Sequence, residues 1–141
     1  MSYAVKQDMI YRYGDREVIA LTDRTDTGAI NDAVLDGALA AADDEMNPYL
    51  AGKVRLPLAA VPKVLKHFAC DIARYRLCGG QVVETEEIRN RYKDAIRFLE
   101  NVASGKISLG LDANNAPAPA QNTVQFRPGT RVFSREGTEG A

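Results

Sequence analysis

Residues 61–79, VPKVLKHFACDIARYRLCG, constrain the fold of this chain more than any other stretch. Val61, Leu65, Phe68, Ile72 and Tyr75 recur at steps of four and three, which puts them on one face of an α-helix. Ala69, Ala73 and Leu77 form a flatter row beside it, where another helix can approach closely. Pro62 suits the first helical position, whose N–H needs no partner, and Gly79 and Gly80 supply the stop. So wide an apolar surface belongs to a central helix packed on two sides. The remaining segments are expected to pack around it.

Those segments also have helical periods. Residues 4–13 predict a short helix with Val5, Met9 and Ile10 inward and Gly14 as its stop. Asp15 is expected to cap a second short helix over 16–21, with Glu17 in its first turn, and 22–29 to form a polar loop. Asn31 caps a long helix to about residue 51, with Leu35, Ala38, Leu39, Ala42, Met46, Tyr49 and Leu50 inward. Ile30 can pack back on it as a staple, and Pro48 predicts a kink or break over 44–48. Residues 53–58 alternate Val54, Leu56 and Leu58 and read as an extended connector, because Pro57 opposes a central strand. Thr85 caps a last helix through about residue 104, lined by Ile88, Tyr92, Ala95, Ile96, Leu99, Val102 and Ala103, with Glu87 and Arg91 placed to pair. The expected fold is all-α: a small bundle of three long and one or two short helices over residues 1–110.

From residue 111 the character changes. DANNAPAPAQN, residues 112–122, has too little apolar surface to pack and reads as a linker. TVQFRPGTRVF follows, two β-prone runs around a good type II turn at Arg127, Pro128, Gly129 and Thr130, so an extended arm with a β-hairpin is expected. A lone hairpin is marginal in water. Val124, Phe126, Arg127, Arg131, Val132, Phe133 and Arg135 are therefore the candidate protein-interaction residues, aromatic anchors and arginine clamps that order on a partner.

Length and charge bound the alternatives. A chain of 141 residues suits one modest core, and no apolar run approaches the roughly 20 residues that span a bilayer. No basic start followed by an apolar block opens the chain, so synthesis in the cytoplasm is expected. Residues 1–60 hold 6 basic and 10 acidic side chains, net −4, whereas residues 61–110 hold 9 and 6, net +3. Such a protomer can pair head to tail with its copies, and it lacks the strongly basic footprint of a nucleic-acid binder. Cys70 and Cys78 lie about 12 Å apart along one helix, too far to bridge, and read as reduced packing residues.

The sequence offers little chemistry. His67 is the sole histidine, with Cys70 one turn on and Asp71 at i+4, and a surface imidazole bonded to Asp71 is the expected arrangement. A metal site would need a further ligand. Asp43, Asp44 and Glu45 point in different directions on a helix and are expected to be solvated or to face a basic neighbour. No phosphate-binding glycine pattern occurs, and neither catalytic residues, metal nor cofactor are expected.

Several stretches in order, RYGDREVIALTDR, INDAVLDGALAAADDEMNPYLAGKVRLPL, VPKVLKHFACDIARYRLC and RYKDAIRFLENVASGKISLG, resemble the gp36-type family of Mu-like phages and prophages, over about residues 3–110. RVFSRE is more weakly similar to that family's C-terminal end. The resemblance implies a head–tail connector (adaptor) of long-tailed phages: a virion neck protein, usually twelve copies in a ring beneath the portal. Its partners would be its own copies, the portal protein and the next neck or tail protein, with DNA only passing through a channel and no membrane. Within that reading a stopper or other neck ring is the neighbouring possibility. The competing class is a small DNA-binding or regulatory protein using the last two helices, with Lys63, Lys66, Arg74, Arg89, Arg91 and Lys93 on phosphates; the carboxylates at 84, 86 and 87 oppose it.

Overall fold

The computed structural model describes residues 1–111 and 115. Five helices follow one another: α1 Lys6–Tyr13, α2 Asp15–Thr22, α3 Asp32–Leu50, α4 Lys63–Leu77 and α5 Glu86–Ala103. The all-α bundle of three long and two short helices is as the periodicity predicts. None of the five is long and apolar enough to cross a membrane.

Helix α4 is the centre and touches each of the other four. Leu65, Ala69, Ile72, Ala73 and Leu77 are buried, while Val61 and Phe68 pack partly exposed at the rim. The long helices α3, α4 and α5 form the main layer, closed by Leu35, Leu39, Met46, Leu50, Leu99 and Val102. Phe68 meets Phe98 with ring centroids 4.6 Å apart, and Tyr75 stacks on Tyr92 at 4.1 Å, adding aromatic contact to the α4–α5 seam. The two short helices cover the other side of α4 through Met9, Val18 and Leu21.

Helix ends follow local chemistry with two exceptions. Asn31 and Thr85 accept from the amides of Val34 and Ile88, as N-caps do. Asp15, however, lies inside α2, and Gly14 is the cap: its φ of 85° suits a glycine and turns the chain sharply between two helices. Pro62 is likewise the N-cap of α4 and not its first helical residue, so the helix starts one residue later than expected.

Pro48 does not break α3, which runs on to Leu50. It falls in the last turn, where the missing N–H removes a single bond before the helix ends anyway. Val5 is exposed outside α1, and Tyr3 and Ala4 fill the core in its place. Ala103 is exposed, and Phe98 takes a share of the α5 face.

The connector over 53–58 is no strand, as Pro57 leads one to expect, but it is not extended from its start: the amides of Lys53 and Val54 both bond back to Leu50, so it opens with a turn. The alternation holds within it: Val54, Leu56 and Leu58 face the core. The linker reading fails at Asn115, which is buried. Its side chain accepts from the amide of Arg55 at 3.3 Å and donates to the carbonyl of the same residue. A primary amide has both a donor and an acceptor, so this one side chain pairs both backbone groups of Arg55.

Candidate functional site

The candidate interaction residues Val124, Phe126, Arg127, Arg131, Val132, Phe133 and Arg135, with the hairpin expected around them, lie outside the described residues. The polar chemistry of the described residues is concentrated in three places.

The first surrounds Asp71, buried on α4. Its carboxylate accepts from Arg12 Nη2 at 2.9 and 3.0 Å and from the Tyr13 hydroxyl at 2.5 Å. Its oxygens are thus taken by α1, 59 and 58 residues away in sequence, and the expected His67–Asp71 pair is not formed. Burial, then the bond to Asp71, raises the Tyr13 phenol far above its ordinary range. Arg74 lies over the Tyr13 ring at 4.6 Å and meets Glu17 of α2 at 2.5 Å. One polar cluster therefore pins both short helices to α4.

The second joins the long helices. Glu45 of α3 accepts from Arg76 of α4 at 2.5 and 2.9 Å and from the Tyr92 hydroxyl of α5 at 2.5 Å. Burial and that bond push the Tyr92 phenol up to about 12. Asp43, expected on a solvated face, is buried and accepts from the Tyr3 amide at 2.9 Å. Burial raises its pKa, while the Tyr3 amide pulls it down. Only Asp44 of the acidic trio is exposed.

The third is a groove of about 380 Å³ between α1 and α4, which includes Tyr11, Lys63, Lys66, His67 and Cys70. His67 is exposed there. Cys70 is buried, and burial pushes its thiol up to about 12, opposite to what a nucleophilic thiolate needs. Both cysteines are free, as expected. Among the described residues no three histidine, cysteine or carboxylate groups converge as metal ligands do.

Four of the six cations of the DNA-binding alternative have a carboxylate within ion-pair distance: Lys66 beside Asp8 at 3.9 Å, Arg74 by Glu17, Arg89 by Glu84 at 2.5 Å, and Arg91 by Glu87 at 2.9 Å. The last is the i, i+4 pair read from the sequence. Phosphate binding would have to displace these partners.

Fold and surfaces together define a small all-α protein in which Asp71, Arg74 and Glu45 clamp helices to each other. The chain belongs to the family described as Bacteriophage Mu, Gp36, whose model matches residues 3–128 and so extends past the helical bundle into the tail. It is 34% identical over 138 residues to the "Mu-like prophage FluMu protein gp36" of Haemophilus influenzae, covering 98% of this chain and 96% of that protein. It is 37% identical over 138 residues to "Gene product J" of Escherichia phage Mu, covering 96% of each.

Proposed function

We propose that the protein is a structural subunit of the phage neck, a head–tail connector of the adaptor type that forms a ring between portal and tail. The observation that carries this reading is the match to phage and prophage proteins along almost the whole chain. The commitment of Asp71, Arg12, Arg74 and Glu45 to packing supports it, because these groups stabilise a scaffold and are not free to handle a substrate. The helical body, with Leu111 and Asn115 packed onto it, is the ring-building part, and the residues beyond 115 are the arm that grips the portal protein or the next neck protein. Copies of the chain, twelve to a ring, are its first partners; DNA passes through the channel without being read. The finished protein sits in the virion neck after assembly in the host cytoplasm.

Complementation tests the reading. A Mu-like phage or prophage lacking this gene should accumulate unjoined heads and tails, and the full chain should restore joined particles. Removing residues 116–141 should leave a folded helical protein that fails to restore joining; the cut falls after Asn115 because that residue is part of the body. Full particle yield from the truncated chain would overturn the role of the arm, and joined particles without the gene would overturn the connector reading.

A further inference from the structure

We propose that the groove between α1 and α4 receives the outer face of α3 from a second copy of this chain. The inference builds on the reading of the protein as a subunit that packs against its own copies.

Positive charge predominates in the groove: Asp8 lines it too, but basic side chains outnumber it and two of them are left without a carboxylate partner among the described residues. Arg12 is taken by Asp71, and Lys66 is 3.9 Å from Asp8, but Lys63 and His67 are exposed with no carboxylate in ion-pair distance among the described residues. The start of α4 adds to it: its first turn holds no acid and its N-cap makes no side-chain bond, so the positive helix end meets lysines. At the groove's edge Tyr11 is 92% exposed, a large aromatic ring of the type that anchors interfaces.

The outer face of α3 complements this. Ala33, Gly37, Ala40 and Asp44 follow at steps of four, three and four and are all exposed, with Asp36 beside them. Small side chains let another surface come close, and space is open around Gly37. Asp36 and Asp44 have no ion-pair partner among the described residues, and lie roughly 12 Å apart along the helix. A lysine-bearing groove with an aromatic edge thus faces a carboxylate row with little steric bulk. Because the two patches differ, the contact is heterologous: each copy offers its groove to one neighbour and its α3 face to the other, and the series closes into a ring if the rotation allows.

Sedimentation velocity of the full chain tests this. At low salt the wild type should self-associate, and added salt should weaken that association. K63E/H67E, which reverses the groove, and D36K/D44K, which reverses the face, should each associate at least tenfold more weakly while keeping the wild-type circular dichroism. Mixed one to one, they should recover association, since each reversed patch then meets its complement. Tyr11→Ala, at an exposed position, should weaken association without touching the charges. Wild type that stays monomeric at low salt, reversed variants that associate like wild type, or a mixture of folded variants that fails to recover would overturn the proposal. So would a polyglutamate peptide or a DNA duplex that occupies the groove while self-association is unchanged. Variants that associate normally yet fail to join heads to tails would sink the groove assignment alone, leaving the connector reading to the complementation assay.

Discussion

Asp71 is a carboxylate in the interior of a small core, kept there by three donors supplied from α1. Removing it strands Arg12, of which only 24% is exposed, and leaves the Tyr13 hydroxyl without its acceptor. Asp71→Ala should therefore lower stability by about 2–4 kcal/mol, read from urea denaturation. Two other buried carboxylates respond to acid in opposite directions. Hydrogen bonds led by Thr27, with Gly28 and Thr25, hold the Asp23 pKa below its ordinary value. Its contribution is complete above the unfolded-state pKa of about 4 and disappears as pH falls through the lower, folded value. Asp43 has a raised pKa, so its charge opposes folding near neutrality and the opposition fades as pH falls through that raised value. In melts followed by circular dichroism, Asp23→Asn should lower Tm at about pH 7 and flatten its fall towards about pH 3, where the wild-type carboxylate is protonated too. Asp43→Asn retains the acceptor for the Tyr3 amide and should leave Tm at about pH 7 unchanged or higher.

Among the elements, α3 and α5 carry their own boundaries. Thr85→Ala removes the acceptor for the Ile88 amide and should cost about 1 kcal/mol, measured by chemical denaturation. Pro48→Ala should act the other way, raising stability by about 1 kcal/mol, because an amide at 48 can bond within the last turn of α3 and α3 already runs through this position. Caps such as Asn31 and Thr85 are legible in the sequence because the bond closes within three residues. Gly14 is less legible: Asp15 has the right chemistry for a cap, but the sharp turn between α1 and α2 falls one residue earlier, on the glycine that tolerates a positive φ.

For the whole molecule, contacts across long stretches of chain decide what counts as the body. Asn115 binds both backbone groups of Arg55, 60 residues away, and so ties the chain beyond α5 to the connector before α4. Asn115→Ala leaves that amide and carbonyl unpaired, and should cost about 1–2 kcal/mol with faster hydrogen exchange at the Arg55 amide. Nothing in DANNAPAPAQN singles out this asparagine, because its role depends on a backbone edge that exists only after folding. The groove between α1 and α4 has the same origin: Tyr11 and Lys63 are unremarkable separately and become one surface when the short helices are clamped to α4.

By itself the sequence determined the three long helices, the helical character of the short segments and most of the inward faces, since apolar periodicity and capping act over a few residues and do not depend on the rest of the chain. Only the tertiary structure decided which polar groups are buried: that Asp71 belongs to Arg12 and Tyr13 and not to His67, and that Asp43 is interior while Asp44 is not. The physical reason is that burying a charge depends on its partners, and here the partners arrive from helices distant in sequence.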